Sequence, residues 1–197
     1  MGAILTQSTA WSNVEKAVAN LRRERLLTPR ALQRSSLRRL ERLVRPSGYF
    51  RQKAKKLKAF LNFLFRKHNG SLARMFRTPV AQLRQQLLAV HGIGPETADS
   101  ILLYAGGQPV FVVDAYTKRV LLRHAWIAEN AGYEEMRALL ERNLPRDAQL
   151  FNEYHALLVH VGKHWCRPRE PRCAECPMQP FLPENLAGRL IQLEARA

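Results

Sequence analysis

The chain has 197 residues, and its 32 Lys and Arg side chains against 16 Asp and Glu give a formal net charge of +16. Hydrophobic residues make up 46% of the chain and charged residues 24%, a composition typical of a folded protein and not of a disordered basic tail. No apolar run approaches the roughly 18 residues that cross a bilayer, and no signal-peptide pattern precedes the first helix. We therefore expect a soluble, cytoplasmic protein without a membrane partner. We also expect a monomer. Because the apolar pattern begins directly after Met1, the sequence leaves open whether the natural chain starts further upstream.

The positive charge is concentrated in one third of the chain. Residues 22–84 contain 19 Lys or Arg and only two acidic residues, whereas the rest of the chain is close to neutral. So basic a region in a folded protein indicates a polyanionic partner, with nucleic acid as the leading candidate. A solvated face that only improves solubility is the alternative.

Apolar residues recur at helical spacing along nearly the whole sequence, beginning at Ile4 and Leu5 and continuing from Trp11 to Leu21. Helix-capping and helix-breaking residues predict further helices at 29–44, 51–68, 71–76, 79–90, 95–105, 115–124, 133–142 and 147–162. No two consecutive segments alternate as the strands of a hairpin would, so the predicted fold is all-α. Paired glycines and a proline near residue 108 divide the chain into two predicted helical lobes, 1–108 and 109–197, with a cleft between them.

The most informative motif is the short segment Gly92, Ile93 and Gly94 between two predicted helices. Two glycines around one apolar residue predict a very tight turn, and Pro95 opens the next helix where its missing N–H costs nothing. Backbone amides at such a turn can bind a phosphate without reading base sequence. A plain helix–turn–helix corner is the alternative, and the basic region before it favours the phosphate site.

One acidic residue, Asp114, ends the apolar run 110–113 and opens a predicted helix. Taken alone, such a residue is most often an N-cap that accepts amide hydrogen bonds. Its place just after the predicted lobe boundary favours a second interpretation, in which the carboxylate faces the cleft and takes part in catalysis.

Taken together, these motifs resemble the helix-hairpin-helix DNA glycosylase superfamily, in its endonuclease III branch. The hairpin with residues 97–99 and the segment 113–119 carry most of the resemblance. Three further segments match in order: 4–9 looks like an early glutamine helix, 45–54 like a DNA-facing loop, and 162–166 like the approach to an iron–sulfur loop. The resemblance implies an all-α, two-lobed fold and base excision repair of double-stranded DNA that contains a damaged base.

The family's functional residues can be carried over position by position. Asp114 matches the catalytic aspartate, which stabilises positive charge on C1′ or activates a water while the base departs. The base must first leave the stack. Gln7 matches the residue that fills the vacated space, Tyr49 the intercalating wedge, and Lys53 a DNA-binding position of the same loop. An ordinary polar helix residue is the alternative for Gln7, and ordinary loop packing for Tyr49.

Glu96 departs from the pattern of the bifunctional members of the family. Those members have a lysine here, whose amine attacks the sugar to form a Schiff base and cleave the strand. A carboxylate cannot form an imine, so we expect a monofunctional, hydrolytic glycosylase without abasic-site lyase activity. Glu96 also complements the dipole of the helix that it opens.

Within the branch, segments 45–50 and 92–99 are most similar to 3-methyladenine DNA glycosylases of the endonuclease III type, which act on alkylated purines. Trp11, one helical turn after Gln7, is the candidate stacking platform for the flipped base, with a core tryptophan as the alternative. Lys163 matches a lysine near the cleft that could pair with Asp114 or reach a phosphate, with a solvated lysine as the alternative. Other base specificities, for oxidised pyrimidines or mismatches, and a non-catalytic DNA-binding protein of the same fold stay open.

Three cysteines near the C-terminus, Cys166, Cys173 and Cys176, match the first three ligands of the family's 4Fe–4S loop. The fourth ligand should fall at position 182, where this chain has Leu182, and the sequence contains no other cysteine. Because such clusters normally need four thiolates, the motif is incomplete. The open alternatives are a 4Fe–4S cluster with a non-cysteine fourth ligand, zinc bound with help from His160 or His164, and no metal.

Overall fold

The computed structural model describes residues 1–183, and within that range every regular element is helical. The helices are α1 (Gly2–Leu5), α2 (Trp11–Arg23), α3 (Pro29–Arg34), α4 (Leu37–Val44), α5 (Phe50–His68), α6 (Leu72–Phe76), α7 (Val80–Leu88), α8 (Pro95–Ser100), α9 (Ala115–Arg123), α10 (Tyr133–Asn143) and α11 (Ala148–His164). Two 3-10 turns, Arg45–Ser47 and Gln179–Phe181, and a π-helical turn, Ile101–Ala105, accompany them. The all-α prediction is confirmed. In this range no helix has the length and apolar character needed to cross a membrane.

Side-chain caps explain several of the helix boundaries. Thr28, Ser36 and Ser71 each accept a hydrogen bond of 3.2 Å from the backbone amide three residues further on, at the starts of α3, α4 and α6. The single helix expected over 29–44 is wrong, because Ser35 and Ser36 adopt extended backbone between α3 and α4. Ser36 then caps the second helix.

The chain forms two compact units, one of residues Met1–Leu102 and one that begins at Leu103. This division falls inside the π-helical turn, a few residues before the boundary expected at residue 108. In the first unit, α5 packs against α3, α4 and α6 and buries an apolar face that includes Leu57 and Leu64. The sequence gives this unit 20 basic and five acidic residues, a net charge of +15.

The second unit is built around a buried segment that is neither helix nor strand. Phe111, Val112 and Val113 lie in its core, where the Phe111 and Phe151 rings meet edge to face with centroids 5.3 Å apart. Helices α9 and α11 pack against each other in the same unit. This packing places the start of α9, directly after Val113, beside the middle of α11.

Candidate active site and DNA interface

The turn between α7 and α8 is a tight hairpin whose two glycines have different roles. Gly92 has a left-handed backbone with φ +80°, and an added Cβ would lie 2.4 Å from Cγ of Lys56. Gly94 has φ −91° with open space around its α-carbon, so the packing of the protein does not require glycine there. A glycine that the fold does not need is expected where an external group approaches the backbone closely.

The hairpin is held rigidly by its own helices. Arg84 of α7 and Asp99 of α8 form a bidentate salt bridge with N–O distances of 2.7 and 3.0 Å, and the Asp99 side chain is fully buried. The Ile93 side chain is also buried, and its N–H donates to the carbonyl of Val90 at 3.0 Å. Ile93 therefore anchors the turn from within, while Gly94 is exposed.

Gln7 contacts the same hairpin. Its Nε2 donates to the carbonyl of Gly92 at 3.1 Å and to Oγ1 of Thr97 at 2.8 Å, and Lys56 Nζ donates to its Oε1 at 2.6 Å. To enter a duplex, Gln7 would have to break these hydrogen bonds and form new ones with DNA. Its insertion into DNA stays a prediction. The sequence analysis included Thr97 in the hairpin motif but not its contact with Gln7, and it missed Lys56, because only the folded chain brings α5 against the hairpin.

Tyr49 is presented to solvent by an unusual backbone. Gly48 and Tyr49 have φ values of +68° and +44°, and Tyr49 is 67% exposed. Exposure is what an intercalating wedge requires, and packing of this ring into the loop is not observed.

Lys53, expected to bind DNA, points into the protein. Its ammonium is buried and donates to the carbonyls of Leu5, at 2.9 Å, and Ser47, at 2.5 Å. Burial, together with the charge of nearby Lys56, lowers the pKa of Lys53. In this arrangement Lys53 supports the loop that carries Tyr49 and does not offer its charge to a phosphate.

The two predicted base-pocket residues are both on the surface of their own units. Trp11 is 54% exposed, and its Nε1 donates to Oε1 of Glu15 at 3.1 Å, so the alternative of a core tryptophan is wrong. Lys163 is exposed near the C-terminal end of α11. Their contacts with a flipped base stay predictions.

Asp114 caps α9 and also faces a buried imidazole. One carboxylate oxygen, Oδ1, accepts a 2.8 Å hydrogen bond from the Thr117 amide, and Oδ2 lies 3.6 Å from Nε2 of His155 in α11. The Nδ1 atom of the same ring is 2.5 Å from the hydroxyl of Tyr104 in the π-helical turn. The N-cap interpretation is therefore confirmed, and the second oxygen of the carboxylate is left for another role. No motif in the sequence pointed to His155 or Tyr104.

The surroundings keep Asp114 ionised. Burial by itself raises the pKa of a carboxyl group, but the interactions of the carboxylate with His155 and with Thr117 outweigh burial and hold the Asp114 pKa below its ordinary value. Burial and the charge of Asp114 raise the pKa of Tyr104 to about 12, so this phenol keeps its proton at neutral pH. A partly buried, ionised carboxylate can stabilise positive charge or take a proton from water.

The three cysteines line one cavity in the second unit but do not form a complete metal site. Its other lining residues are Arg123, His124, Trp165, Gln179 and Leu182. Within residues 1–183, no three His, Cys, Asp or Glu side chains are arranged to hold a metal ion. The His160 and His164 rings are in tilted contact, with centroids 4.4 Å apart, and both meet the Trp165 ring edge to face. Neither histidine lines the cavity. The donor set therefore does not fit a four-thiolate cluster.

The hairpin with an exposed glycine, the strongly basic first unit and the aspartate at the start of α9 are the features that the resemblance to helix-hairpin-helix DNA glycosylases led us to expect. A family model described as "HhH-GPD superfamily base excision DNA repair protein" matches residues 1–146. The chain belongs to this superfamily.

Individual relatives agree with this assignment. The chain is 44% identical over 183 residues to a Methanocaldococcus jannaschii protein with a provisional name as a DNA repair glycosylase, covering 92% of this chain and 82% of the relative. It is 30% identical over 176 residues to endonuclease III of Thermotoga maritima, covering 89% and 77%.

Solved structures share the fold. An endonuclease III–DNA complex superimposes with a TM-score of 0.80 at 24% identity, covering 96% of this chain and 83% of that one. The 3-methyladenine DNA glycosylase of H. pylori, bound to 1,N6-ethenoadenine, gives a TM-score of 0.74 at 28% identity and covers 82% of both chains.

Proposed function

We propose that this protein is a monofunctional DNA glycosylase that hydrolyses the N-glycosidic bond of a flipped alkylated purine in double-stranded DNA, acting as a monomer associated with DNA. The observation that carries the proposal is the Asp114 carboxylate, held ionised and oriented by Thr117 and His155.

The chemistry needs one well-placed carboxylate. The base leaves with the electron pair of its bond to C1′, and positive charge spreads over the sugar ring as in glycoside hydrolysis. The negative charge of Asp114 lowers the energy of that cation. The oxygen of a water then bonds to C1′, and its proton passes to the carboxylate.

The inference that the enzyme hydrolyses the glycosidic bond without cleaving the strand depends on Glu96. Glu96 lies in the first turn of α8, at the position where bifunctional members have the lysine that forms the Schiff base. Its carboxylate offers no amine to the sugar, so water is the nucleophile in this proposal.

The preference for alkylated purines is supported by two observations. The H. pylori neighbour is a 3-methyladenine glycosylase bound to an ethenoadenine base, and Trp11 offers an exposed aromatic face suited to stacking on a cationic purine. Oxidised pyrimidines are the second candidate, favoured by the 30% identity to the Thermotoga maritima endonuclease III.

The proposed mechanism involves no iron–sulfur cluster. An iron–sulfur cluster held by Cys166, Cys173 and Cys176 with a non-cysteine fourth ligand stays a prediction, and iron and sulfide analysis of anaerobically purified protein tests it.

The decisive experiment is base release from duplex oligonucleotides that each carry one lesion, comparing wild type with Asp114→Asn. We expect wild type to release an alkylated purine and the variant to be slower by about 100-fold or more, with DNA affinity retained. Asp147→Asn is the matched control, because Asp147 caps α11 in the same way through a 2.7 Å bond from the Leu150 amide. Equal rates for wild type and Asp114→Asn contradict the proposal.

The same reactions distinguish the remaining alternatives. Strands should break only after alkali treatment, and borohydride should trap no protein–DNA adduct, whereas a trapped adduct contradicts the monofunctional assignment. DNA binding without release of any base in the panel indicates a non-catalytic DNA-binding protein.

A further inference from the structure

Three polar side chains from distant parts of the second unit lie in a row. Tyr104 comes from the π-helical turn, His155 from α11 and Asp114 from the cap of α9, with contacts of 2.5 Å and 3.6 Å along the row. His155 is only 9% exposed and packs edge-on against the Phe111 ring, with centroids 6.4 Å apart. A buried, oriented imidazole between a phenol and a carboxylate needs an explanation that packing does not supply.

In a neutral imidazole only one of the two ring nitrogens carries a proton. The hydrogen bond at Nδ1 of His155 therefore determines whether Nε2 is protonated. The 2.5 Å contact between the Tyr104 hydroxyl and Nδ1 of His155 allows either group to donate. Donation by the phenol, which keeps its proton at neutral pH, is the direction that leaves an N–H on the side of the ring facing the carboxylate. A neutral imidazole then carries its own proton on Nε2, the atom that faces Oδ2 of Asp114. Nε2 has no hydrogen-bond partner in the described structure, because 3.6 Å is too long for one. Such contacts are often long without substrate and tighten in the reacting complex.

We propose that His155 is a positioning residue for Asp114, held by Tyr104 in the neutral tautomer whose Nε2–H faces the carboxylate. Neutrality matters for the chemistry. A protonated imidazole would cancel the charge of Asp114 that the sugar cation needs, whereas a neutral N–H orients the carboxylate and leaves its charge intact. A π-helical turn at Tyr104 is consistent with this role, because such turns are rare and often occur at functional sites.

The tautomer can be measured without any enzymatic reaction. Long-range 15N–1H NMR of the imidazole at neutral pH should find His155 protonated on Nε2 and unprotonated on Nδ1, and His155→Gln identifies its signals. Tyr104→Phe removes only the hydroxyl and should populate the other tautomer. A protonated Nδ1, or an imidazolium ion, in the wild-type protein overturns the proposal.

The catalytic consequence rests on the proposed function and is tested by the pH profile of single-turnover base release. The groups that face Asp114 are His155 of α11, Tyr104 of the π-helical turn and Thr117 of α9, and the Tyr133 hydroxyl of α10 accepts from the neighbouring Val113 amide. Loss of the Nε2–H donor disfavours the ionised carboxylate. The acid limb of the profile should therefore move to higher pH by about one unit in His155→Phe.

Two variants separate positioning from a structural role. His155→Gln retains an N–H donor and should restore part of the rate lost in His155→Phe, while the Kd for DNA stays unchanged in both. Leu157→Phe, at an exposed position of the same helix, should behave as wild type.

The failures of the two proposals can be told apart. If wild type releases no base, the proposed function fails, and the NMR result alone decides the tautomer. If Asp114→Asn abolishes release but Tyr104→Phe and His155→Phe keep the wild-type pH profile, only the role of His155 is overturned.

Discussion

Lys53 shows how a basic residue in a basic unit can serve the fold instead of the ligand. Its spacing to Leu57 and Leu64 places it on the apolar face of α5, a signal already present in the sequence. The resemblance placed it in a DNA-facing loop, and the loop does reach the surface at Tyr49. Lys53 lies in the first turn of α5, so its helical register, and not its match to the loop motif, determines that its charge points into the protein.

Replacing Lys53 by methionine should therefore destabilise the protein. The apolar stem is preserved, but the carbonyls of Leu5 and Ser47 lose their donor, which costs about 1–3 kcal/mol when such groups stay buried. Urea denaturation measures the free energy of unfolding. Lys55→Met, at an exposed position of the same helix, is the control and should change it by less than about 0.5 kcal/mol. Equal effects of the two substitutions would contradict a supporting role for Lys53.

The contacts of the candidate site divide into those that local sequence can reveal and those that it cannot. Asp114 and the amide it caps are three residues apart, so an acidic residue at a helix start predicts their contact. His155 reaches Asp114 only because α9 packs on α11, and nothing near either residue encodes that pairing. The contact of Gln7 with Thr97 is hidden for the same reason.

At the scale of elements, helical periodicity predicted well which segments form helices, and less well where each helix begins and ends. The long apolar face of α5 was expected at 51–68 and is observed at Phe50–His68. The break at Ser35 and Ser36 was missed because apolar residues continue on both sides of it, whereas the extended backbone of these two serines ends α3 and starts α4. The π-helical turn at Ile101–Ala105 lies inside a segment expected to be ordinary helix, since its sequence differs little from one.

The two glycines of the hairpin should respond oppositely to alanine. Gly92→Ala places a Cβ against Lys56 at positive φ and should lower the free energy of unfolding by roughly 1–3 kcal/mol. Gly94→Ala has no such conflict within the protein, so its stability should stay close to that of wild type. If a phosphate approaches Gly94 closely, this stable variant should still bind DNA more weakly, for any sequence. Thermal unfolding and fluorescence anisotropy measure the two effects, and wild-type DNA affinity in Gly94→Ala would argue against a phosphate at this glycine.

For the whole molecule, the net charge of +16 is distributed very unevenly between the units. The first unit carries +15 and the rest of the chain +1, as counted from the sequence. Composition therefore predicted a polyanion partner, and the family assignment makes that partner DNA. Charge alone could not say what happens to the DNA, which depends on single residues such as Asp114 and Glu96.

Salt dependence should show which unit provides the phosphate contacts. Each phosphate neutralised by a basic side chain adds about 0.9 to the magnitude of the slope of log K against log salt, because it releases counterions from the duplex. Arg51 is exposed next to Tyr49 in the basic unit, and Arg146 is exposed in the nearly neutral one, so Arg51→Gln and Arg146→Gln remove the same charge from different units. Titrations of undamaged duplex at several salt concentrations should give a slope shallower by about 0.9 for Arg51→Gln and an unchanged slope for Arg146→Gln. Equal changes in both variants would mean that total charge, and not the basic unit, governs association with DNA.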